Sequence, residues 1–197
     1  MSQPIRRTVV PVPATLLAVW RRGRLPHRRL AVLAAIGCVL ALGGCGGSMP
    51  ERSVAYADRV VVKKSQRKLQ LLNRGQVIRE YRVALGDNPS GHKMQEGDER
   101  TPVGDYILDW RNPRSQYYKS IHISYPNDRD KAIAQALGVS PGGMVMVHGM
   151  PNHIQSPTVR AEYSRRDWTN GCIAVQDNEM DEIWRLVRDG TPIRIQE

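Results

Sequence analysis

Apolar and polar positions alternate along much of the chain after residue 58, and alternation with a period of two predicts strands. Arg59-Val60-Val61-Val62-Lys63 and Lys68-Leu69-Gln70-Leu71-Leu72 read as two β-runs. Asn73-Arg74-Gly75 is turn chemistry. Residues 76–85 continue with Val77, Ile78, Tyr81 and Val83, so a hairpin or meander opens the fold. Residues 106–110, 121–125, 144–147 and 191–195 are further strand candidates. The period changes near the end of the chain. Met180, Ile183, Trp184 and Val187 recur at helical spacing on one face, with Asp177 or Asn178 as cap and Gly190 then Pro192 as the stop. A shorter helix is expected over residues 130–137, closed by Gly138. Between these elements, residues 86–104 are rich in Gly, Pro, Asp and Asn and form a long loop. Loops of that length in a compact domain are usually either functional or disordered. The pattern is that of a mainly β (α+β) domain.

Composition changes this picture only at the N-terminus. The chain has 29 Lys and Arg against 19 Asp and Glu, but residues 1–44 contain seven of the arginines and no acid. Without them 22 bases face 19 acids, so the folded part lacks the basic stripe that nucleic acid requires. Arg28-Arg29 precede an apolar run over residues 30–42, the length of a signal-peptide core and short for a membrane span. The run ends in Leu42-Gly43-Gly44-Cys45, which resembles a bacterial lipobox. The expected organisation is a removed signal peptide over 1–44, a lipidated Cys45 and tether over 45–57, and one folded domain over 58–197. An uncleaved N-terminal anchor with an incidental cysteine is the alternative. The lipobox reading puts the protein in the periplasm or cell envelope, held to a membrane by lipid. In a Gram-negative cell the resemblance to known lipoproteins favours the outer membrane.

Of the three cysteines, Cys38 lies in the leader and Cys45 at the lipobox, so Cys172 is left alone in the domain. A single thiol in a secreted domain has no internal partner. It is a free thiol with a function, an intermolecular disulfide, or a small buried hydrophobe. Its neighbours favour the first. Trp168-Thr169-Asn170-Gly171-Cys172 places the thiol after a glycine turn, at the entry to the apolar run Ile173-Ala174-Val175. Val145-Met146-Val147-His148-Gly149 is a strand that ends in a base. A cysteine nucleophile needs a base to take its proton and a tight turn to expose its sulfur. The N–H groups of Asn170, Gly171 and Cys172 are candidates for an oxyanion hole, and the Gly149 carbonyl for orienting His148. No zinc-ligand spacing, phosphate-binding loop or internal repeat is present, and no metal or cofactor is expected.

At these residues the sequence resembles the catalytic domain of the L,D-transpeptidases, the YkuD-like family. His148-Gly149 and Thr169-Asn170-Gly171-Cys172-Ile173 are similar to its His-Gly and Ser/Thr-His-Gly-Cys segments. Glu96-Gly97-Asp98 and Thr101-Pro102-Val103-Gly104 are similar to its upstream acidic-Gly-Asp and Thr-Pro-x-Gly stretch. Asp167-Trp168-Thr169 and residues 177–190 look most like the YafK-like branch. The resemblance implies a β-sandwich-like domain with Cys172 as nucleophile and His148 as base. The substrate it implies is a peptidoglycan stem peptide, cut at the meso-diaminopimelate–D-alanine bond through a thioester. A second stem, a wall-attached protein or another amine would accept the acyl group. Water as acceptor would make it a hydrolase, and a non-catalytic wall-binding lipoprotein is a third reading. Two positions depart from the pattern: Asn170 stands where many members have histidine, and Ala174 where many have arginine.

Expected substrate contacts are Trp168, Thr169 and His122. The last points away from Ile121 and Ile123 if this is a strand; a surface histidine is the alternative. Arg160, Arg165 and Arg166, in a loop over residues 150–166, are candidate anchors for stem carboxylates, with solvated surface arginines as the alternative. Asp98, Arg100 and Thr101 are expected to order the long loop.

Overall fold

The computed structural model describes residues 55–197. The expected signal peptide, the lipidated Cys45 and most of the tether lie outside the described residues. The strands are β1 (Arg59–Lys63), β2 (Lys68–Asn73), β3 (Gln76–Arg82), β4 (Gly104–Ser115), β5 (Tyr118–Ile123), β6 (Met146–His148), β7 (Ile173–Ala174) and β8 (Thr191–Gln196). The helices are α1 (Asp128–Leu137), α2 (Pro157–Tyr163) and α3 (Asp177–Leu186).

Alternation sets the opening meander. Val60 and Val62 of β1 pair across with Leu71 and Leu69 of β2, and all four are buried on one face. Arg74 and Gly75 both take positive φ, 50° and 78°, as a tight hairpin turn into β3 requires.

The strands form one sheet in the order β3-β2-β1-β8-β4-β5-β6-β7. Past β3 the chain leaves β2 and crosses to the far edge. There Ala84 and Ala174 exchange hydrogen bonds of 2.9 Å in both directions. The sheet thus curls until its two edges meet, so the expected sandwich of layers is a single sheet wrapped on itself. Its inner face holds Leu108, Ile121, Ile123, Val147, Ile173 and Ile193, and Met180 and Ile183 of α3 join that core.

The helices differ from expectation in instructive ways. α1 begins at Asp128 because Asn127 and Asp130 form a capping box; Asp130 is buried and also accepts from the Tyr106 hydroxyl at 3.0 Å. α3 is capped by Gln176 with Glu179, not by Asp177 or Asn178. The Asp177 carboxylate is engaged elsewhere, by the Met150 N–H at 2.8 Å and by Arg160. α2 was expected to be loop. It buries none of its residues, so it leaves no apolar periodicity to read.

Candidate active site

β6 and β7 run parallel, with Val147 opposite Ile173 and His148 opposite Ala174. Val147 and Ile173 are fully buried on the inner face. Side chains alternate along a strand, so His148 and Cys172 project together from the outer face. The Met146 N–H lies 3.4 Å from Cys172 Sγ. Both residues line one cleft of about 150 Å³ with Tyr117, Trp168, Thr169 and Asn170.

His148 is held on several sides. Its Nδ1 lies 2.7 Å from the Gly149 carbonyl, which can only accept, so Nδ1 carries the proton and Nε2 is the free base. Tyr117 and Trp168 stand with ring centroids 4.6 and 5.7 Å from the imidazole. Gly149 has no room for a side chain: a Cβ there would sit 2.7 Å from Asp177 Oδ1 and 2.9 Å from the Tyr118 Cβ. Its N–H donates to the Tyr117 and Lys119 carbonyls at 3.1 and 3.2 Å. With 3% of its surface exposed, His148 is pushed by desolvation from 6.5 down to about 4; the Gly149 carbonyl opposes this in part. Burial also pushes the Cys172 thiol up, against the Met146 N–H and the charge of Lys93. At neutral pH the resting pair is therefore thiol and imidazole, both uncharged.

The turn before Cys172 is wired internally. Thr169 Oγ1 donates to the Cys172 carbonyl at 2.7 Å and accepts from the Gly171 N–H at 3.2 Å. Thr101 Oγ1 donates to the Gly171 carbonyl at 3.0 Å. Gly171 has φ of 114°, and a Cβ there would stand 2.5 Å from the Arg100 carbonyl. Two expectations shift as a result. The Thr169 hydroxyl organises the turn, leaving at most the rest of the side chain to face substrate. The Gly171 N–H is committed to Thr169, which leaves the flanking Asn170 and Cys172 N–H groups as the remaining candidates for oxyanion donors.

The long loop forms the other side of the site. Asp98 accepts from the N–H groups of Met94, Gln95 and Arg100 and from Lys93 Nζ at 2.9 Å. Lys93, only 4% exposed, lines a second cavity of about 410 Å³ with Glu96, Glu99, Met144, Asn170 and Cys172. Cys172 thus borders an aromatic opening on the His148 side and a polar one on the Lys93 side. Sequence reasoning passed over Lys93 and Tyr117. Their only signals were a lysine inside a Gly- and Asp-rich loop and a Tyr pair at the start of β5.

Other candidates lie away from the thiol. His122 points outward, as its alternation with Ile121 and Ile123 predicted, but it does not line either opening at Cys172. Its Nδ1 contacts Asp109 Oδ1 at 2.7 Å, and its ring stacks on Trp110 at 4.8 Å. Arg160 is bound to Asp177 and to the Ile154 carbonyl. Arg166 lies over Tyr163 and borders a neighbouring hollow that Tyr117 and Trp168 share. Among the described residues no cluster of His, Cys, Asp and Glu is arranged to hold a metal ion.

The parallel strand pair thus brings a buried histidine and a cysteine beside a glycine turn into one cleft. The family model of the YkuD L,D-transpeptidase catalytic domain matches residues 57–195, and the chain belongs to that family. YafK of Escherichia coli (strain K12), itself assigned to the L,D-transpeptidases only provisionally, is 27% identical over 179 residues. That alignment covers 81% of this chain and 64% of YafK. Pgp2 of Campylobacter jejuni, described as a helical cell shape determining protein, is 29% identical with a TM-score of 0.54, over 74% of this chain and 50% of Pgp2. Bd1075 of Bdellovibrio bacteriovorus is 27% identical with a TM-score of 0.48, over 74% of this chain and 50% of that one. The chain therefore matches less than two thirds of the length of YafK and half the length of Pgp2.

Proposed function

We propose that this chain is a cysteine L,D-transpeptidase acting on peptidoglycan stem peptides. The observation that carries the reading is the parallel register that sets His148 beside Cys172 on one face, with His148 Nδ1 tied to Gly149. His148 Nε2 takes the thiol proton as Sγ attacks the carbonyl of the meso-diaminopimelate residue, and a C–S bond forms. The Asn170 and Cys172 N–H groups receive the oxyanion. The C–N bond then breaks, His148 returns the proton to the departing D-alanine amine, and a thioester remains. An acceptor amine attacks the thioester and loses its proton to His148; the C–S bond breaks, and His148 returns that proton to Sγ, restoring the thiol. Because burial favours the uncharged pair, the thiol proton has to pass to His148 in the course of the reaction.

Transfer is favoured over hydrolysis because Cys172 is flanked by two openings, one for the acyl donor and one for the acceptor. An oriented amine can be worth roughly 10⁵ M or more, which outcompetes water. The likeness to Pgp2 suggests wall remodelling that bears on cell shape. Leu42-Gly43-Gly44-Cys45 suggests a lipid-anchored enzyme of the cell envelope. The test is to incubate the soluble domain with tetrapeptide muropeptide and excess free D-amino acid, and to weigh the products. Exchanged or dimeric products that vanish in Cys172→Ala support transfer. Tripeptide alone makes the protein a hydrolase, and turnover retained in Cys172→Ala refutes the mechanism.

A further inference from the structure

The chemistry at Cys172 leaves unused an aromatic pair on the outer face of β4 and β5. The register there shifts: Leu108 pairs with Ile123 and Arg111 with Ile121. Asp109 and Trp110 therefore both stand opposite His122. A bulge of this kind re-aims side chains, and bulges recur beside active sites. Leu108, Ile121 and Ile123 keep to the core, while Asp109, Trp110 and His122 emerge together outside. The indole lies nearly parallel to the imidazole, with 4.8 Å between centroids and 17° between planes. Asp109 Oδ1, 2.7 Å from His122 Nδ1, fixes the imidazole. Trp110 remains 39% exposed, so the stack is open to solvent.

This platform shares a row with the nucleophile. His122 registers with Met146, whose N–H meets Cys172 Sγ at 3.4 Å. Neighbouring strands are about 4.8 Å apart, so His122 stands roughly 10 Å from Cys172 along the sheet and Trp110 roughly 15 Å.

We propose that Trp110 and His122, set by Asp109, bind a pyranose ring of the glycan strand that carries the stem peptide under attack. The inference rests on the stem-peptide reading above. A pyranose presents a face of weakly positive C–H groups, which complements the negative face of an indole. Its edge is a rim of hydroxyls, for which the half-exposed Asp109 carboxylate is an acceptor. That carboxylate at the edge of the stack would be desolvated by an apolar protein face, which argues against a protein occupant. The spacing also fits. Three extended residues span about 10 Å, so a stem whose third residue lies over Cys172 brings its sugar to His122, the near side of the platform, with Trp110 one strand further along the glycan.

Two measurements decide the matter. The first compares a free tetrapeptide with the same stem on a glycan oligomer as acyl donors. Trp110→Ala should raise KM for the glycan-linked donor about tenfold, the loss of roughly 1.4 kcal/mol. It should leave kcat/KM for the free stem within about twofold, and Trp110→Tyr should restore most of the loss. Equal effects on both donors, or none on either, overturn the platform. The second titrates the protein with glycan oligomers stripped of stems and follows indole fluorescence and heat. This readout needs no turnover, so it stands even if the transpeptidase reading fails. Saturable binding that disappears in Trp110→Ala supports the proposal. No binding, or binding unchanged in Trp110→Ala, refutes it while leaving stem turnover untouched.

Discussion

Acidification should reach this active site late. Burial holds His148 near 4, against 6.5 for an ordinary imidazole. In the proposed mechanism His148 acts as the base and must be uncharged in the free enzyme, so kcat/KM against pH reports that ionisation. At pH 5 a group at about 4 is roughly 90% neutral, whereas one at 6.5 would be about 3% neutral. The buried site therefore keeps about thirty times more competent enzyme at pH 5 than an exposed histidine would. The same burial predicts a stability change. The unfolded chain binds the His148 proton below about pH 6.5, and the folded chain resists it until about pH 4. The unfolded state thus holds more protons in that window, so stability is full above it and falls as pH drops through it. The loss by pH 4 is on the order of 3 kcal/mol, a large part of a typical domain's stability. The assays are kcat/KM on a soluble stem peptide from pH 3.5 to 8, and urea unfolding of wild type and His148→Gln over the same range. Between pH 6.5 and 4, His148→Gln should lose less stability than wild type, the difference being on the order of the same 3 kcal/mol. An acid limb centred near pH 6.5, or the same pH dependence of stability in both proteins, refutes the argument that burial sets this base.

Two further outcomes are expected. Gly171→Ala should cost roughly 2–4 kcal/mol and turnover together, because a Cβ 2.5 Å from the Arg100 carbonyl meets backbone that cannot yield; urea midpoints and thiol labelling check this. Cys45→Ser should move the full-length chain from the membrane fraction to the soluble one, and unchanged fractionation would remove the lipobox reading.

Elements were legible in the sequence where burial writes a period. β1 and β2 show it in Val60, Val62, Leu69 and Leu71, and α3 in Met180 and Ile183, because each lays one face on the core. α2 shows none because it buries nothing. The α3 cap lies at Gln176, before both expected residues, and Asp177, the better cap by type, is drawn instead to Met150 and Arg160, partners remote in sequence. The site was legible in the same uneven way. Cys172 stood out as the one thiol left to the domain, and His148 as a base at a strand end. The family pattern in the sequence also agrees with the match over residues 57–195.

The sequence by itself picked out the candidate side chains, Cys172 and His148, and the strands that hold them, since a thiol, a base, a turn glycine and alternation are local properties. Only the tertiary structure decided that they meet. A gap of 24 residues between His148 and Cys172 says nothing of distance, and the parallel β6–β7 register closes it. The environment of the base is equally non-local. Tyr117 and Trp168, brought by separate segments, desolvate His148 and leave it neutral. Likewise alternation turns His122 outward, but one bulge in β4 brings Asp109 and Trp110 to it. Proximity and burial depend on contacts between distant parts of the chain, so no local pattern encodes them.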